Sequence, residues 1–118
     1  MGSEPLSPLE QYRRLMEEIE DLQRRGQAWF AERLAKSRSG DEQAHRELAG
    51  ACLRHVFSLA LEYGVRFNDE ERMDAVQVAN NGLMRAIKSY QGHDAGGFLE
   101  HVSRVVKTFL ALTLKRRP

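Results

Sequence analysis

Apolar residues in this chain recur at every third or fourth position, and no segment alternates apolar with polar in the way a half-buried strand requires. That regularity predicts helices packed through their apolar faces and no sheet. The stretch Asp74–Tyr90 shows it best. Met73, Val76, Asn80, Leu83, Ile87 and Tyr90 fall on one face, which reads as core. Gln77, Asn81, Met84 and Lys88 form a neighbouring row of amides, a thioether and an amine with no carboxylate. A purely solvated face normally carries many charges, so this row reads either as a partner surface or as an ordinary exposed face.

The other segments follow the same rule. Ser7-Pro8-Leu9-Glu10 is a helix start: Ser7 caps, Pro8 loses nothing in the first turn, and Glu10 closes a capping box. Tyr12, Leu15, Ile19, Leu22, Gly26, Trp29 and Arg33 continue the period, flanked by Met16, Phe30 and Leu34, and predict one long amphipathic helix to about Ser37 with a local bend at Gly26. Ser39 and Glu42 mark a second start. That helix runs from Asp41 to about Tyr63, with Leu48, Cys52, Val56, Leu59 and Tyr63 inward, and Gly64 closes it. Asn68 with Glu71 caps the helix that holds Asp74–Tyr90. After a glycine-rich loop, Asp94 caps a last helix from about Gly97, with Phe98, Val102, Val105, Phe109 and Leu112 inward and Arg104, Lys107, Ala111 and Lys115 beside them. The expected architecture is an all-α bundle of about four helices with short connections.

At 118 residues the chain suits one core without covalent staples. Its single cysteine excludes an internal disulfide framework and a cysteine-rich zinc site; Cys52 lies on an apolar face and reads as a buried, inert thiol. The net charge of +1 is uninformative as a total, but from His101 onward the chain carries Arg104, Lys107, Lys115, Arg116 and Arg117 and no acid. Such a basic end suits a helix C-terminus and also a phosphate surface. No stretch reaches the length of a membrane span and no signal-peptide pattern opens the chain, so the expectation is a soluble, cytoplasmic protein without a membrane partner. The histidines show no metal-ligand spacing, and Gly92, Gly96 and Gly97 lack the Lys-Ser/Thr of a phosphate loop and follow a helix. Glu42 and His45 have the Glu-x-x-His spacing of a di-metal bundle, but without the second pair it needs. No catalytic residue, metal or cofactor is expected.

The run Ser39-Gly40-Asp41-Glu42-Gln43-Ala44, then Arg46-Glu47-Leu48, Leu53-Arg54, Val56 and Ser58-Leu59-Ala60, resembles the start of region 2 of bacterial RNA polymerase sigma factors. Asp74-Ala75-Val76-Gln77, Asn80 and Gly82-Leu83-Met84-Arg85-Ala86 resemble the next helix of that region at the same spacing, and Phe98, Arg104 and Leu114-Lys115-Arg116-Arg117 resemble its end in the smaller, extracytoplasmic-function type. The resemblance covers roughly residues 38–118. Residues 1–37, an N-terminal amphipathic helix, are only loosely similar to the segment that precedes region 2.

The resemblance implies a helical domain that docks on a coiled coil of the polymerase large subunit and acts in transcription initiation. Asp74, Gln77, Asn80 and Met84 match the docking pattern, and Asn81 shares the row. Val78 departs from it, because the family usually has a glutamate there. The last helix departs further. The family uses aromatic side chains to hold unstacked promoter bases, and the corresponding positions here are His101, Arg104 and Val105. The remaining DNA contacts would be made to phosphate by His101, Arg104, Lys107, Lys115 and Arg116, without reading sequence. The chain stops where region 2 stops, which is expected of either a fragment or a stand-alone protein needing a second regulatory subunit. An anti-sigma factor is a further partner for such a domain. The alternative is a repurposed sigma-like bundle that serves as a protein-interaction module without promoter melting.

Overall fold

The structure, a computed structural model, describes residues 5–18, 26–92 and 94–114, with Glu18 described by its backbone alone. Among the described residues there are five helices and no strand: α1 (Pro8–Glu18), α2 (Gln27–Arg38), α3 (Glu42–Tyr63), α4 (Asp69–Ser89) and α5 (Ala95–Leu114). Each start has a residue that accepts from the first turn's free N–H groups, except α2. Ser7 Oγ accepts from the Glu10 N–H at 3.1 Å. Asp41 Oδ1 accepts from Gln43 and Ala44 at 2.9 and 3.1 Å. Asn68 and Glu71 form a reciprocal capping box. Asp94 Oδ2 accepts from Gly97 at 3.0 Å, while Gln27 Oε1 of α2 accepts from Ala95 at 2.7 Å.

Four expectations are corrected here, the first on α5, whose buried face is Phe98, Val102, Val106 and Leu110, with Val105 and Phe109 half-buried and Leu112 exposed. Gly26 is not a bend within one helix. Its backbone is extended (φ −79°, ψ 167°) and α2 begins after it, which raises the helix number from four to five. A glycine inside a helix costs about 1 kcal/mol relative to alanine, and nothing lies within 4 Å of where a Gly26 Cβ would sit, so no close packing offsets that cost. Ser39 closes α2 instead of starting α3. Gly40 makes the turn at φ 97°, in the left-handed region that favours glycine, and Asp41 is the cap. The apolar seam of the first segment is also displaced: Leu9, Met16, Phe30 and Leu34 are buried, whereas Leu15 is 57 % exposed and Tyr12, Trp29 and Arg33 are half-buried. Ile19 and Leu22 lie outside the described residues.

The centre of the molecule is the α4–α5 pair. Gly82 lies against Val106 and Phe109, and Ser89 against His101, so the two helices run antiparallel. Ala75, Ala79, Gly82 and Ala86 form a small-residue stripe, entirely buried. A Cβ on Gly82 would sit 3.1 Å from the Val106 Cα, so this approach needs glycine. On the other side of α4, α3 contributes Leu48, Cys52, Val56 and Ala60, each fully buried. Burial pushes the Cys52 thiol up to about 12, which makes it a packing side chain. α2 packs on α3 and reaches α5 through Phe30 and Phe98, whose ring centres are 6.0 Å apart. α1 packs mainly on α4 and α3. Buried residues from all five helices share one cluster. No helix among the described residues is long and apolar enough to cross a membrane.

Candidate functional site

With α3 and α5 packed on its flanks, α4 leaves one face to solvent. Asp74, Gln77, Asn81, Met84 and Lys88 all lie on it and all are exposed. Their spacing places them in one stripe of the helix surface. Met84 is 42 % exposed, one of the few large apolar side chains left in water. The stripe is continuous: Gln77, Asn81 and Met84 make an uncharged centre, with Asp74 toward the N-terminal end and the exposed Arg85 and Lys88 toward the other.

Asn80 belongs to a different surface. It is half-buried and turned toward α1, where its Nδ2 donates to the Tyr12 hydroxyl at 3.1 Å. Its Oδ1 is buried with no hydrogen-bond partner among the described residues. Val78 is half-buried and packs on the core.

The basic row on α5 is described in part. Arg104 and Lys107 are exposed, and Lys115 and Arg116 lie outside the described residues. His101 is half-buried. Its Nε2 lies 2.8 Å from Ser89 Oγ and its ring packs 5.4 Å from that of Tyr90. Burial, and then the Arg104 charge, hold its pKa below the usual value. Both aromatic residues of α5 face inward: Phe98 is fully buried and Phe109 half-buried. Tyr90 is held between Phe98, His101 and Arg38, and its hydroxyl donates to Asp94. Arg38 donates to the carbonyls of Tyr90 and Gly92, which ties the end of α2 to the α4–α5 loop.

One pair of polar side chains was not legible from spacing. His55 of α3 places Nε2 2.8 Å from Ser103 Oγ of α5. Both are half-buried, and with Leu99, Glu100, Arg104 and Lys107 they line a shallow cleft of about 500 Å³. Burial lowers the His55 pKa, the Lys107 charge lowers it further, and Glu62 acts in the opposite sense. The sequence offers only a lone histidine on one helix and a serine far along the chain on another; the pairing is a product of packing. A second cleft, of about 590 Å³, lies between the α2–α3 turn and the end of α4, with charges of both signs from Arg38, Asp41, Glu42, Arg46 and Lys88. Among the described residues no three His, Cys, Asp or Glu side chains come together as a metal site.

No family model matches the chain, and neither the curated proteins nor the solved structures contain a match. The functional reading therefore stands on this chain's own residues and surfaces.

Proposed function

We propose that the chain is a transcription-initiation module of the sigma region 2 type, in which α4 docks on the coiled coil of the RNA polymerase large subunit. The observation that carries the reading is the outer stripe of α4. Asp74, Gln77 and Met84, three residues of the docking pattern, are exposed on one face together with Asn81. A helix with a largely buried inner face and an uncharged, amide-rich centre on its outer face, flanked by Asp74, Arg85 and Lys88, is suited to binding a partner helix. An exposed thioether supplies adaptable apolar contact, and amides supply hydrogen bonds without the desolvation cost of charges. On α5, Arg104 and Lys107 are available to DNA phosphates, the sequence-independent part of a nucleic-acid contact.

The test is capture of polymerase core by the wild type and by Gln77→Ala/Met84→Ala. The double variant should lose at least about tenfold in affinity, as expected when central contacts of an interface are truncated. Equal capture by both would remove α4 as the docking helix.

A second reading, a sigma-like bundle reused as a regulator without promoter melting, has its own observations. Asn80, the fourth residue of the docking pattern, is engaged by α1. The imidazole of His101 is occupied by Ser89 and Tyr90, and the described part of α5 presents no exposed aromatic side chain for unstacked bases. This reading predicts core binding, or binding to another transcription regulator, without preference for a promoter-like single strand.

A further inference from the structure

We propose that His55, Ser103, Arg104 and Lys107 form a single phosphate-binding cleft, and that His55 makes phosphate binding proton-linked. The proposal deepens the reading of α5 as a nucleic-acid face and rests on it for the identity of the ligand, a backbone phosphodiester. It adds a residue from a different helix and a mechanism that a row of surface cations lacks.

The geometry supplies the parts. Ser103 and Lys107 are one turn apart on α5 and so share a face, with Arg104 at its edge. His55 approaches from α3 and its Nε2 meets Ser103 Oγ at 2.8 Å. Glu100 also lines the cleft. It offsets one of the two cations, leaving one net positive charge with His55 neutral and two with it protonated. Among the described residues the cleft is lined by α3 and α5, and Glu62 on the same helix as His55 also acts on its charge.

The hydrogen bond between His55 and Ser103 has a direction, set by the tautomer while the ring is neutral and fixed with Nε2 as donor once it is doubly protonated. In the neutral tautomer that carries its hydrogen on Nδ1, Nε2 accepts and the Ser103 hydroxyl spends its only hydrogen on the ring. Once the ring is doubly protonated, Nε2–H donates to Ser103 Oγ, and the hydroxyl hydrogen turns outward to a ligand oxygen. One proton adds a positive charge to the cleft and, starting from that tautomer, also converts Ser103 into a donor toward the phosphate. Without a ligand, the cleft disfavours that proton through burial and Lys107. A bound phosphate reverses the balance. By linkage the effect is reciprocal, so phosphate raises the affinity of His55 for its proton and the proton raises affinity for phosphate. A phosphodiester stays singly charged between pH 6 and 8, so any proton taken up in that range belongs to the protein.

Fluorescence anisotropy with a short single-stranded oligonucleotide, at constant ionic strength and at pH 8 and pH 6, reads the linkage. Wild-type affinity should rise about two- to fivefold at the lower pH, short of the three- to tenfold limit that a shift of half to one pKa unit reaches only well below both midpoints. His55→Gln, which keeps a partner for Ser103, should flatten that rise, and Ser103→Ala should reduce it. Arg104→Ala/Lys107→Ala should weaken binding at both pH values. In parallel, the His55 ring proton of the wild type is followed by NMR through a pH titration, alone, with the oligonucleotide and with inorganic phosphate; this readout does not depend on any variant folding. An upward shift of the His55 midpoint with the oligonucleotide supports the proposal. If the oligonucleotide binds but His55 does not shift and His55→Gln keeps the wild-type pH dependence, the proposal is overturned and the reading of α5 survives. If inorganic phosphate shifts His55 and the oligonucleotide does not bind, the cleft is a site for free phosphate and the nucleic-acid reading fails. If neither ligand shifts His55, the cleft is not a phosphate site.

Discussion

α4 is held on two sides in different ways. Toward α5 it presents the stripe Ala75, Ala79, Gly82 and Ala86, with Gly82 against Val106 and Phe109 and Ser89 against His101 at its end. Toward α1 it presents Asn80, whose amide donates to Tyr12 while its Oδ1 is buried with no partner among the described residues. α1 adds two buried side chains, Leu9 and Met16, and the contacts of Tyr12 and Arg13 with the Phe57 ring, at 5.2 and 5.7 Å. The first seam is dry, close and shape-determined; the second is short and partly polar. Stability within a fold is uneven for such reasons. The α4–α5 seam should open only with global unfolding, and α1 should open before it. α1 and the outer stripe of α4 are neighbouring surfaces, so the weaker seam lies beside the proposed docking face.

The largest effect is expected in the buried core of α4. Leu83→Ala removes a fully buried side chain and should destabilise the fold by about 2–5 kcal/mol, seen as a lower urea midpoint with an unchanged slope. Met16→Ala should act more locally. Its nominal cost is also at least about 2 kcal/mol, but because α1 can detach, hydrogen exchange should show lost protection in α1 with α4 and α5 nearly unchanged. Uniform loss of protection would show that α1 is part of the cooperative core. Tyr12→Phe comes next. It takes away the one partner of the Asn80 amide and should cost about 1 kcal/mol, again confined to α1 by hydrogen exchange; no change at all would mean that the amide is satisfied from elsewhere.

The smallest effect is that of pH, and it acts on the other side of the molecule. His55 and His101 both have folded-state pKa values below 6.5. As the pH falls through that value the unfolded chain takes up protons first, so the stability contributed is full above it and lost below it. Thermal unfolding should occur at a lower temperature at pH 5 than at pH 7.5, with α5 rather than α1 losing protection. The double variant His55→Gln/His101→Gln should show a weaker dependence.

Several features were legible in the sequence for local reasons. The capping box at Asn68 and Glu71, Ser7 at the start of α1 and the end of α3 at Gly64 depend on residues within a turn of one another. The exposed row Gln77, Asn81, Met84 and Lys88 was legible because a helical period orders side chains around an axis. The inner face of α4 was only half legible. Val76, Leu83 and Ile87 announce themselves, but the buried Ala75, Ala79 and Ala86 carry too little apolar area to stand out. Asn80 was grouped with the core face by its spacing and with the docking pattern by its identity; its contact with Tyr12 places it at the α1 seam.

By itself, then, the sequence determined that the chain is helical, where most helices begin and end, and which side of α4 faces water, because caps and periodicity act over a few residues. Only the tertiary structure decided that Gly26 separates two helices, since a glycine in the chain either bends or breaks according to what packs against it. Only it decided that α1 rests on Asn80 and that His55 meets Ser103 across 48 residues of chain. Contacts of that kind depend on which faces come together and how closely, and no local spacing records either.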